Sequence, residues 1–174
     1  MSAIRPVTPG DAPVLAQLLR DSRDFLAPWE PVRGEDYFTA PGQLAFIAHA
    51  LARRAQGSAY PYVILDDTGR VAGRINLNDV VRGPFQSASL GYWVNAGDNG
   101  RGLATAAVRE IISLAFGELG LHRIQAGALP HNVRSQRVLA RNGFIRIGLA
   151  PEYLRIAGRW QDHVLYQLVR AAAG

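Results

Sequence analysis

The segment that most constrains this chain is YWVNAGDNGRGLATAAV, residues 92–108. The run SASLGYWVN (87–95) reads as a strand, AGDNGRG (96–102) as a glycine-bearing turn, and LATAAVREIISLAFGEL (103–119) as an amphipathic helix. Val108, Ile111, Ile112, Ala115 and Phe116 fall on one face of that helix. Gly100 and Gly102 carry no Cβ, so the backbone can turn tightly and approach a ligand closely. The first N–H groups of a helix have no internal partner, and with the helix dipole they form an anion site to which Arg101 adds a cation. The plain alternative is a turn that only reverses the chain. Two phosphate-binding patterns are excluded: no Gly-Lys-Ser/Thr follows the turn, and Thr105 stands where a dinucleotide fingerprint needs Gly or Ala.

The rest of the chain surrounds this unit with alternating strands and helices. AIRPV (3–7) reads as a first strand, followed by Thr8 as a helix cap with Pro9 at the first helical position. Val14, Leu15, Leu18 and Leu19 recur at helical spacing. The aromatic, proline-rich stretch FLAPWEPVRGEDYF (25–38) is too irregular for one helix and too apolar for an idle loop. A helix from about Gln43 to Ala55 is predicted to stop at Gly57. AYPYVILDD (59–67) and VAGRINLNDVV (71–81) read as antiparallel strands joined by a tight turn. HRIQAGALP (122–130) is a strand, NVRSQRVLARNG (132–143) a short helix, and FIRIGLAPEYLRI (144–156) with WQDHVLYQLV (160–169) a closing strand pair. The order predicts an α/β (α+β mixed) fold: a mostly antiparallel mixed sheet of about six or seven strands with about four helices packed on it.

Composition narrows the function classes. A length of 174 residues suits a single domain over 1–174. Cysteine is absent, which excludes disulfides, thiolate metal sites and a cysteine nucleophile. No apolar run approaches the roughly 18 residues of a membrane span, and the N-terminal MSAIRPVTPGD lacks the apolar core of a signal peptide, so a cytoplasmic chain is expected. The net charge of +5 favours an anionic ligand, but the arginines are scattered, so direct nucleic-acid binding is not expected. His122, His131 and His163 present no metal-ligand spacing, and no metal is expected. Asp162-His163 pairs a carboxylate with an imidazole on paper, but adjacent strand residues point to opposite faces.

The turn and its sequel resemble the GNAT acetyltransferases. Their phosphate loop, Gln/Arg-x-x-Gly-x-Gly/Ala, corresponds here to NGRGLA (99–104), with Gly102 and Ala104 at the small positions and Asn99 in place of the usual Gln or Arg. FLAPWEPVR (25–33), VVRGPF (80–85), PHNVRSQRVLARNGF (130–144) and GRWQDHVLY (158–166) are similar to the signatures of the RimJ/RimL branch, nearest its RimJ members. That branch comprises ribosomal-protein N-terminal acetyltransferases.

The resemblance implies the GNAT fold, acetyl-CoA as cosubstrate and direct attack of an amine on the thioester. Trp93 and Val94, at the end of the strand, would bond the pantetheine arm through backbone groups. The loop Asn99-Gly100 and the backbone of Arg101, Gly102, Leu103, Ala104 and Thr105 would hold the pyrophosphate. Asn132 matches an asparagine that contacts the cofactor arm; it also reads as a plain N-cap, and an amide can serve both roles. Ser135, one helical turn on, matches a serine that protonates the leaving thiolate; the alternative is an ordinary surface serine. Glu30 is the candidate base, with Asp79 and Asp36 as rivals and a merely orienting carboxylate as the alternative. Trp29, Phe38, Trp93 and Tyr153 are candidate acceptor walls, though such aromatics also build cores. The implied acceptor is the α-amine of a protein or peptide N-terminus, a ribosomal protein among them. A small amine (antibiotic, polyamine or amino acid) or a non-catalytic acyl-CoA-binding module stay open as rivals. The chain is expected to be a monomer or homodimer, the latter if the last strand is exposed for pairing.

Overall fold

The computed structural model describes residues 2–171; Met1 and 172–174, the ends of the expected domain, lie outside the described residues. In chain order the elements are β1 (Ile4–Pro6), α1 (Ala12–Asp21), α2 (Arg23–Leu26), α3 (Ala40–Ala55), β2 (Tyr60–Leu65), β3 (Val71–Val81), β4 (Ser87–Val94), α4 (Leu103–Phe116), β5 (Arg123–Ala128), α5 (Val133–Arg141), β6 (Ile145–Ile156) and β7 (Arg159–Val169). One seven-stranded sheet runs in the order β1-β2-β3-β4-β5-β7-β6. Every neighbouring pair is antiparallel except β4 and β5, which are parallel. The mixed α/β class and the mostly antiparallel sheet are as expected, with the four-residue α2 making five α-helices among the described residues.

Alternation of side chains across β2 and β3 feeds two cores, one on each face of the sheet. Ile64, Ile75 and Leu77 pack with Val108 and Ile111 of α4 and with Leu139 of α5. Val63, on the opposite face, packs with Leu15 and Leu19 of α1, Ile47 of α3 and Trp93. Leu15, Ile47, Ile75, Leu77 and Ile111 are fully buried, each worth about 1.5–3 kcal/mol relative to exposure. The tight turn between β2 and β3 is held by Asp66, whose carboxylate accepts from the N–H groups of Thr68 and Arg70, both at 2.9 Å.

Several boundaries move for local reasons. Thr8 heads a 3₁₀ turn, Pro9–Asp11, rather than α1 itself; Asp11 accepts from the Thr8 N–H at 2.8 Å. Helix α3 begins at Ala40, before the expected Gln43, because Thr39 caps it by accepting from the Gly42 N–H at 3.1 Å and Pro41 is tolerated in the first turn. Helix α4 stops at Phe116, with Gly117 as its C-cap. The last strand, β7, lies between β5 and β6, so the exposed edge belongs to β6 and not to the last strand as expected. Ile145, Ile147 and Leu149 of β6 are solvent-exposed.

Candidate active site

Strands β4 and β5 pair only from Ser87↔Arg123 to Ser89↔Gln125. Beyond that they separate, although β4 continues to Val94 and β5 to Ala128. From Leu90 onward the β5-facing side of β4 therefore has no strand partner, which leaves backbone groups free for a ligand. The gap opens into a cleft of about 1060 Å³. Gly73 lets β3 come close behind its upper end: a Cβ there would lie 2.2 Å from the Trp93 carbonyl oxygen.

Seven of the expected site residues line this cleft: Glu30, Trp93, Val94, Asn99, Ala104, Asn132 and Ser135. Gly100, Arg101, Gly102, Leu103 and Thr105 lie beyond its walls, in the loop and first helical turn that follow Asn99. Gly102 has φ +81°, a left-handed conformation that glycine adopts freely, and it starts α4 with no side chain over the helix N-terminus. Asn99 spends its amide on the loop, donating to the Asn95 carbonyl at 2.8 Å. The cation expected from Arg101 is already matched, since its guanidinium pairs with Asp98 at 2.8 Å and Asp67 at 2.5 Å. What this turn presents to an anion is backbone N–H and dipole, not the Arg101 charge.

Asn132 caps α5, its Oδ1 accepting from the Ser135 N–H at 3.1 Å. The Ser135 hydroxyl lies 2.9 Å from the Tyr92 hydroxyl, and the Tyr92 phenol also reaches the Ser135 carbonyl at 3.2 Å. Desolvation pushes the Tyr92 phenol up to about 12, partly offset by its hydrogen bond to Ser135, so it stays protonated at neutral pH. Tyr92 thus bridges the two sides of the gap, from β4 to α5. Sequence reasoning passed over it because a tyrosine in a strand reads as packing.

Of the three candidate bases, Glu30 alone is half-buried within the cleft. Burial raises its carboxyl above the ordinary carboxylate value, against the opposing pull of Arg33 and Arg74. Asp79 lies at the cleft margin with its side chain exposed and paired to Arg53 at 3.0 Å. Asp36 is exposed in the 3₁₀ turn Glu35–Phe38 and does not line the cleft. Trp29, Trp93 and Tyr153 line the cleft as expected, whereas Phe38 does not: it packs in the α1–α3 core with the Arg23 guanidinium 4.3 Å above its ring. Asp162 and His163 do diverge: Asp162 accepts from the Glu152 N–H at 2.9 Å, while His163 is buried and lines the cleft.

Arg74 was also missed. It is 4% exposed and lines the cleft from β3, with Nη2 donating to the Tyr37 hydroxyl at 2.8 Å and its guanidinium 4.2 Å from the Phe46 ring centroid. A charged residue within an apolar strand run covered on both faces was the available signal. Among the described residues, no group of three or more His, Asp or Glu is arranged to hold a metal ion, and no helix is long and apolar enough to cross a membrane.

The parted β4–β5 pair beside a glycine-started helix fits the backbone-bound cofactor arm that the GNAT resemblance implies. The family described as Acetyltransferase (GNAT) domain matches residues 3–145. The chain therefore belongs to the GNAT acetyltransferases. Within them it is an N-acetyltransferase of the RimJ/RimL type, as its relatives indicate. It is 39% identical over 166 residues to the [ribosomal protein uS5]-alanine N-acetyltransferase of Escherichia coli (strain K12), covering 95% of this chain and 86% of that protein. It is 37% identical over 163 residues to the probable N-acetyltransferase YjcK of Bacillus subtilis (strain 168), covering 92% and 89%. The solved structure of Mycobacterium smegmatis RimJ in complex with CoA-disulfide superimposes with a TM-score of 0.91 at 33% identity, covering 95% of this chain and 80% of that one.

Proposed function

We propose that this chain transfers acetyl from acetyl-CoA to the α-amine of a protein or peptide N-terminus, by direct attack of the amine on the thioester. The whole chain, 1–174, would act as one acetyltransferase domain in the cytoplasm, as a monomer or homodimer. The observation that carries the reading is the β4–β5 gap, with a glycine-started helix at one end and the Ser135–Tyr92 pair in its wall. The RimJ relative bound to CoA-disulfide supports the cosubstrate, and the name of the E. coli relative supports a ribosomal-protein acceptor.

In this reading the unpaired side of β4 near Trp93 and Val94 binds the pantetheine arm as a further strand would. The Asn99-Gly100 loop shapes the mouth, and the N–H groups of residues 101–105 receive the pyrophosphate. Asn132, while capping α5, presents its amide toward the same arm. Glu30 removes a proton from the incoming ammonium. An α-amine with pKa near 8 is already about one-tenth neutral at pH 7, so modest help suffices. The nitrogen lone pair forms the new C–N bond as the C–S bond breaks. Ser135 gives its proton to the departing thiolate, and the second proton that the nitrogen sheds on becoming an amide returns through solvent to the Ser135 oxygen. Its hydroxyl is free to point into the cleft when Tyr92 donates to its Oγ, and Tyr92 is thereby the group that orients it.

The test offers the protein acetyl-CoA and a peptide carrying both an α-amine and a lysine, with thiol release and mass spectrometry as readouts. The α-amine is about 2.5 pKa units more acidic than the lysine amine and should take the acetyl group. Acetyl mainly on lysine, or on a competing polyamine, would overturn the reading.

A further inference from the structure

Four buried side-chain polar atoms in the wall of the cleft have no hydrogen-bond partner among the described residues: Arg33 Nε, Arg74 Nε, Asn76 Oδ1 and Trp93 Nε1. Three are N–H donors and one is an acceptor. Buried donors are almost always satisfied, so a cluster of three in one wall points to a ligand that supplies acceptor oxygens. The charges point the same way. No carboxylate comes within 4.0 Å of the Arg33 or Arg74 guanidinium among the described residues. Asp79, at the same margin, is already committed to Arg53.

Arg74 is not explained as scaffold alone. Gln43 and Tyr37 engage Nη1 at 3.3 Å and Nη2 at 2.8 Å, and the Phe46 ring faces the guanidinium, but Nε and the positive charge are left unmatched in a residue that is 4% exposed. A buried charge is normally paired. Arg33, whose guanidinium lies 4.7 Å from the Tyr37 ring centroid, adds a second cation beside the first. Glu30 feels both arginines without an ion pair to either among the described residues.

We infer that the acceptor end of the cleft is a carboxylate-recognition site built from Arg74, Arg33 and Trp93. The preferred acceptor is then a polypeptide N-terminus with an acidic side chain close behind its α-amine. Asn76 Oδ1 is positioned to accept a peptide N–H from the same segment. The inference rests on the proposed α-amine reading and adds the acceptor's chemistry to it. A carboxylate can also come from the α-carboxyl of a free amino acid, and the same two cations disfavour a polyamine.

The experiment measures kcat/KM by thiol release with the full chain, acetyl-CoA and short peptides beginning with Ser, carrying Glu, Gln or Lys at the second, third or fourth position. Free serine and serine amide form a separate arm. Glu at one position should exceed Gln there by at least tenfold, with Lys lowest. The Glu/Gln ratio should fall toward one in R74Q. R33Q, which changes a half-buried side chain, should reduce the ratio too and guards against a folding defect in R74Q. Equal rates for Glu and Gln peptides at all three positions would overturn the carboxylate site while leaving α-amine acetylation intact. Free serine used better than every peptide, and better than its amide, would instead retain the carboxylate site and overturn the polypeptide acceptor.

Discussion

Alanine at position 135 removes one hydroxyl whose only side-chain partner among the described residues is Tyr92, at 2.9 Å. The phenol is not orphaned by the change, because its proton can turn to the residue-135 carbonyl, 3.2 Å away. The stability cost is therefore that of one neutral hydrogen bond, about 1 kcal/mol, offset by the better helix propensity of alanine within α5. The cap also survives, since Asn132 accepts from a backbone N–H that alanine retains. Catalysis should fall by more. An alkyl thiol has a pKa near 8.5, so its thiolate is a tolerable leaving group unaided, and the lower end of general-acid effects applies. We expect kcat to drop by about 10–100-fold, equivalent to about 1.4–2.7 kcal/mol of barrier. CoA affinity should stay close to wild type, because the proposed phosphate cradle is backbone. Steady-state thiol release, calorimetry with CoA and a melting curve on the same variant separate these quantities. A variant that melts normally and turns over at the wild-type rate would remove Ser135 from the mechanism and leave water as the proton donor.

Two further predictions address the other ends of the cleft. Gly102→Val places a β-branched residue at φ +81°, costing on the order of 1–3 kcal/mol of stability, but its Cβ meets no protein atom within 4 Å. CoA affinity should fall at least tenfold by calorimetry, and unchanged affinity in the folded variant would move the phosphate site elsewhere. Glu30, its carboxyl raised by burial, is active as a base only when ionised, so kcat/KM should be lost as pH falls through a value above the ordinary carboxylate value near 4.3. Glu30→Gln should abolish that limb and leave the amine's own ionisation near pH 8; an unchanged pH–rate profile would exclude Glu30 as the base.

What was legible in the sequence is local. Strand β3 runs from Val71 to Val81, the bounds read from the sequence, and Gly102 announces α4 because no side-chain residue takes its conformation cheaply. What was not legible is what distant segments do to each other. Tyr92 matters because α5 delivers Ser135 to it, and Arg74 because α3 and the turn before it deliver Gln43 and Tyr37. Arg101 looked like a free cation until the β2–β3 turn brought Asp67 against it. Strand order was equally hidden: nothing in GRWQDHVLY states that the final strand inserts between two earlier ones.

The short parallel contact between β4 and β5 has a mechanical consequence. Among the described residues, three residue pairs are the only backbone ladder joining β1–β4 to β5–β7. The protein is thus two half-sheets welded at one corner, with a pair of raw internal edges facing each other across the opening. Edges of that kind invite any extended chain that can offer amide groups. An extended ligand seated there would act as the missing strand and turn two plates into one.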